Sequence, residues 1–118
     1  MDERILVIDD EPLILATIDR ALTKQGYSVR VTSTISDFLD CLRAEGYNLL
    51  VMDVHLGGMR PEVLLSKVKN LCPKAKILTI SGSVCCGVED RQFLQKPFRI
   101  SDLRQKVRDL LDEACKPQ

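Results

Sequence analysis

Apolar residues fall along this chain in short runs that stop abruptly at polar side chains. Ile5-Leu6-Val7-Ile8 is wholly apolar and ends in Asp9-Asp10-Glu11-Pro12. Leu49-Leu50-Val51-Met52 is a second such run and stops at Asp53. An apolar run without alternation suits a strand buried on both faces, as in a parallel sheet. Between the runs the period lengthens. Pro12 fits the first turn of a helix, Ile14, Ile18, Ala21 and Leu22 follow at helical spacing, and Gly26 ends it. Residues 28–31 read as a short strand. Ser36 reads as the N-cap of a helix carrying Phe38, Leu39 and Leu42 on one face, closed by Gly46. Residues 61–71 read as a helix with Leu64, Val68 and Leu71 on one face, broken by Pro73. Residues 77–80 make a fourth strand, leading into Ser81-Gly82-Ser83. Phe93-Leu94 makes a fifth, ending at Lys96-Pro97. Ser101 or Asp102 caps a last helix that turns Leu103, Val107, Leu110 and Leu111 inward.

Strands alternating with helices give βαβ units and a parallel sheet covered on both faces. The expected fold is α/β: a doubly wound, flavodoxin-like sheet of five parallel strands in the order 2-1-3-4-5. The length of 118 residues fits one domain, 1–118, and the 45% apolar content suffices for its core.

Composition narrows the function. Acidic and basic residues balance at 17 each, without the basic excess of a direct nucleic-acid binder. There is no Trp, and 3 Phe and 2 Tyr offer little platform for base stacking. No apolar run approaches the roughly 18–20 residues of a membrane span. Met1-Asp2-Glu3-Arg4 lacks the basic-then-apolar form of a signal peptide, so a cytoplasmic location is expected. The 5 cysteines include no C-x-x-C pair, and Cys85-Cys86 has neither a second pair nor a nearby His to complete a metal site. Reduced thiols behaving as small apolar residues are the expectation.

Ligands of such sheets bind at the carboxyl ends of the strands, where the strand order reverses. Strand one ends in Asp9-Asp10, strand three in Asp53, strand four in Ser81 and strand five in Lys96. Three neighbouring carboxylates repel one another unless a cation joins them. A hard divalent ion such as Mg²⁺, which takes oxygen ligands and keeps several waters, resolves the repulsion. Lys96 adds a positive charge, able to pair with Asp53 and then with a phosphoryl oxygen. The Ser81 hydroxyl can donate to another. Asp is a known nucleophile for acyl phosphate formation. The set therefore reads as a site that holds a phosphoryl group by positioning and electrostatics.

Four segments carry a family resemblance across essentially the whole chain: Ile5-Leu6-Val7-Ile8-Asp9-Asp10-Glu11, Leu50-Val51-Met52-Asp53-Val54-His55-Leu56, Ile77-Leu78-Thr79-Ile80-Ser81-Gly82 and Phe93-Leu94-Gln95-Lys96-Pro97-Phe98. In that order and spacing they resemble the receiver domain of bacterial two-component response regulators, with the fold of the chemotaxis regulator. The resemblance implies that Asp53 accepts a phosphoryl group from a histidine kinase or histidine phosphotransfer protein. It implies that Asp10, Asp53 and the backbone carbonyl of His55 ligate Mg²⁺, with Asp9 acting through water. Ser81 becomes the switch hydroxyl, Phe93 the switch aromatic, and the Lys96–Pro97 bond is expected to be cis. The signal then passes to a downstream protein or to an output domain cut away from this chain. A receiver catalyses only its own phosphorylation and dephosphorylation.

Two departures stand out. Gly57-Gly58 follows the acceptor where the family usually has a Pro, which loosens that loop. Ser81 and Lys96 are 15 positions apart, fewer than usual, so the fourth helix, between the fourth and fifth strands, is shortened. That shortening favours one alternative, a pseudo-receiver used as a protein-binding module without phosphorylation. A haloacid-type phosphatase would want an Asp where His55 stands, and neither G-x-x-x-x-G-K-[ST] nor G-x-G-x-x-G occurs.

Overall fold

The computed structural model describes residues 3–53, 60–82 and 92–115. Five parallel strands are ordered β2-β1-β3-β4-β5, as the strand and helix alternation leads one to expect. The strands are β1 (Arg4–Ile8), β2 (Ser28–Thr32), β3 (Leu49–Asp53), β4 (Lys76–Ser81) and β5 (Phe93–Gln95). The described helices are α1 (Pro12–Thr23), α2 (Ile35–Ala44), α3 (Pro61–Leu71) and α4 (Ile100–Cys115). The shortened helix expected within 83–92 falls on residues that, Gln92 apart, lie outside the described ones. The same holds for Gly57, Gly58, Cys85 and Cys86.

The unbroken apolar runs divide between two cores. In β1, Ile5 and Val7 join one core and Leu6 and Ile8 the other. In β3, Leu49 and Val51 separate from Leu50 and Met52 in the same way. This is the period of two expected of a strand, with both faces apolar because both are covered. On one side α1 supplies Leu15, Ile18, Ala21 and Leu22, while α4 supplies Leu103, Val107, Leu110 and Leu111. On the other, α2 supplies Phe38, Leu39 and Leu42, and α3 supplies Leu64 and Val68. Each fully buried Leu, Ile or Phe contributes about 1.5–3 kcal/mol through removal from water. The edge strand β2 is largely exposed, except Thr32, whose hydroxyl donates to the Val7 carbonyl at 2.8 Å.

Several local expectations are corrected. The α2 N-cap is Thr34, whose Oγ1 accepts from the Asp37 amide at 3.2 Å; Ser36 lies inside the first turn. α4 begins at Ile100, so Ser101 and Asp102 also sit within their helix. Leu71 is exposed at the end of α3, and Leu15 is more deeply buried than Ile14 in α1. Gly26 follows α1 with φ of +94°, a conformation that L side chains rarely adopt. A Cβ there would meet nothing within 4 Å, so the need for glycine is conformational and not steric.

Arg108 of α4 holds Glu3 with two hydrogen bonds, of 2.9 and 3.1 Å, and also donates to the Tyr27 hydroxyl at 3.1 Å. This ties the last helix to the start of β1.

Candidate functional site

Register brings the polar strand ends together. Ile8 lies beside Met52, so Asp9 and Asp53 follow on adjacent strands. Asp53 pairs with Ile80, and Ser81 with Gln95, which sets Lys96 just past the end of β5. The Lys96 amide donates to the Ser81 carbonyl at 2.8 Å. The Lys96–Pro97 peptide bond is cis, the isomer the resemblance implies.

The Lys96 ammonium is the hub of the site. Its Nζ lies 2.9 Å from Asp9 Oδ2, 3.1 Å from Glu11 Oε1 and 3.3 Å from Asp53 Oδ2. Its side chain is 15% exposed. Burial pushes its pKa down, but the carboxylates of Asp9, Glu11 and Asp53 outweigh burial and hold it above the ordinary lysine value. Lys96 therefore remains a cation.

Asp9 is wholly buried. Its Oδ1 accepts from the Glu11 amide at 2.9 Å, which fixes the turn leaving β1. Its Oδ2 meets Lys96 as an ion pair, but outside hydrogen-bond angles, and has no hydrogen-bond donor among the described residues. Burial raises the Asp9 pKa above the ordinary carboxylate value; the Lys96 ammonium and the Glu11 amide oppose that rise. Asp53 is buried at the last position of β3, and Asp10 is exposed at the mouth. Ser81 is wholly buried at the end of β4, and Phe93 is half-buried at the start of β5. His55 lies outside the described residues.

A hard divalent cation fits this donor set. Carboxylate oxygens of Asp9, Asp10, Glu11 and Asp53 lie within 4.8 Å of one another. An all-oxygen cluster of that size suits Mg²⁺ or Ca²⁺, and the buried Asp9 Oδ2 accepts no hydrogen bond among the described residues.

Glu11 is the member that reading the strand ends does not single out. It is the N-cap of α1, yet its side chain makes no capping hydrogen bond and reaches Lys96 instead. The run of three acids before Pro12 was the available signal, but it does not say which acid turns toward the lysine.

Comparison with known proteins places the site in a family context. The chain matches the response regulator receiver domain family over residues 5–108. The transcriptional regulatory protein GlrR of Escherichia coli K12 is 29% identical over 118 residues, covering 94% of this chain and 27% of the relative. The chain spans about a quarter to a half of the length of the curated relatives it matches. A CheY-like receiver domain protein from Methanospirillum hungatei is 27% identical, with a TM-score of 0.86 and coverage of 97% of both chains. A response regulator from Burkholderia pseudomallei, solved with a phosphorylated aspartic acid, a calcium ion and citrate, is 26% identical. Its TM-score is 0.79, covering 95% of this chain and 70% of that one. Among the described residues no helix is long and apolar enough to cross a membrane.

Proposed function

The chain belongs to the response regulator receiver domain family, and from that premise we propose that Asp53 accepts a phosphoryl group reversibly and so works as a signalling switch. The observation that carries this reading is the buried Asp53 carboxylate beside a lysine ammonium at 3.3 Å, within a cluster of acids that suits a divalent cation. The residues 1–118 act as one domain in the cytoplasm. A histidine kinase or histidine phosphotransfer protein is the donor. A downstream protein, or an output domain elsewhere in a longer chain, reads the result. The Burkholderia relative's phosphorylated aspartic acid and calcium ion support the same chemistry here.

In this reading an Asp53 oxygen attacks the donor's phosphorus. The new O–P bond forms as the P–N bond to the donor histidine breaks, and the electron pair leaves with the imidazole. Asp10, Asp53 and the His55 backbone carbonyl would hold Mg²⁺ directly, with Asp9 contributing through water. Bound there, the ion supplies positive charge against the phosphoryl oxygens. Lys96 offers a second positive charge already directed at Asp53. Ser81, at the neighbouring strand end, donates its hydroxyl to a phosphoryl oxygen. Phe93, at the start of β5, follows that movement and carries it toward the surface.

Incubation with acetyl phosphate tests the reading. Labelling should require Mg²⁺, stop on chelation, and vanish in Asp53→Asn. A wild-type protein that takes no label under these conditions would instead favour a pseudo-receiver that binds partners through its fold alone.

A further inference from the structure

Building on the phospho-acceptor reading, we infer that Glu11 is a positioning residue that restrains Lys96 in the resting state and competes with the phosphoryl group for it. Three carboxylates share one ammonium, at 2.9, 3.1 and 3.3 Å. Glu11 and Asp53 each accept a hydrogen bond from the ammonium, and Asp9 crowds it as an ion pair, so a phosphoryl oxygen arriving at Lys96 competes with these carboxylates for it.

The three differ sharply in what release costs. Asp9 is wholly buried, and its Oδ2 accepts no hydrogen bond among the described residues and has the Lys96 ion pair beside it, so losing Lys96 would strand a charge inside the protein. Asp53 is the group that carries the phosphoryl. Glu11 is 60% exposed, and its carboxylate returns to water on leaving. No side-chain cap to α1 holds it back. Glu11 is therefore the contact that yields. Until it does, it competes with the incoming phosphoryl oxygen for Lys96.

Substitution separates this competition from metal binding. Glu11→Gln keeps the shape and removes the charge. Glu11→Asp keeps the charge but withdraws it by one methylene from a contact that is already 3.1 Å long. With acetyl phosphate and saturating Mg²⁺, both variants should label about two- to fivefold faster than wild type, the scale of losing one exposed ion pair. The advantage should shrink as salt rises, because salt weakens the exposed Glu11–Lys96 pair in wild type alone. Because Glu11 belongs to the acidic cluster, the Mg²⁺ affinity of each variant is measured calorimetrically without any phosphodonor, and labelling is compared at Mg²⁺ saturating for that variant. Labelling of both variants at or below the wild-type rate would overturn the inference while leaving the phospho-acceptor reading intact. A wild type that takes no label overturns the phospho-acceptor reading itself, and this inference with it.

Discussion

Asp9 occupies a position that water would treat better. Its carboxylate is wholly buried, and burial raises its pKa despite the nearby ammonium. In the metal-free protein, the folded state keeps the Asp9 proton at pH values where the unfolded chain has already lost it. This contribution to stability is full below the ordinary carboxylate pKa and is lost as pH rises through the raised one. At neutral pH, Asp9→Asn should therefore melt higher than wild type in chelator, by about 1 kcal/mol, the ordinary size of a single-residue effect. Added Mg²⁺ should reverse the order. At 100 times its Kd, an ion that binds only the folded state stabilises by about 2.7 kcal/mol, and Asp9→Asn should gain less of this. Thermal melts with and without Mg²⁺ check both signs. An Asp9→Asn variant less stable than wild type in chelator would contradict the account of a site held ready for a cation.

At the scale of elements, the apolar runs were legible because burial on both faces leaves a pattern that local sequence alone displays. Ile5–Ile8 and Leu49–Met52 could scarcely be anything but central strands. Helix starts were less legible. Ser33, Thr34 and Ser36 are all competent caps, and nothing local says which faces the first unpaired amide. The packing of Phe38, Leu39 and Leu42 against β1 and β3 fixes the helix register and selects Thr34. Thr34→Ala should accordingly cost about 1 kcal/mol, whereas Ser36→Ala should stay within roughly 0.5 kcal/mol. Chemical denaturation of the two variants gives the comparison. Equal losses would mean that the cap is shared. A similar ambiguity explains α4: Ser101 and Asp102 are good caps by composition, but the helix already begins at Ile100.

The whole molecule assembles one site from strand ends far apart in sequence. Asp9, Asp53, Ser81 and Lys96 each close a different strand, and the order β2-β1-β3-β4-β5 is what makes them neighbours. Their types and positions at the strand ends could be read directly, because a polar residue that halts an apolar run is conspicuous. The sharing of Lys96 could not. The partners Glu11 and Lys96 are 85 positions apart, and only the folded sheet sets the exposed acid against the half-buried lysine. The same topology keeps Asp53 buried, with its carboxylate against Lys96 and Asp10 at the open side. The central claim is that this one carboxylate, among several crowded acids, forms the acyl phosphate. Borohydride reduction converts an aspartyl phosphate to homoserine, which peptide mass spectrometry then locates. After treatment with acetyl phosphate and Mg²⁺, homoserine should appear at position 53 and nowhere else. Its absence from position 53, or its appearance at position 9 or 10, would contradict the account.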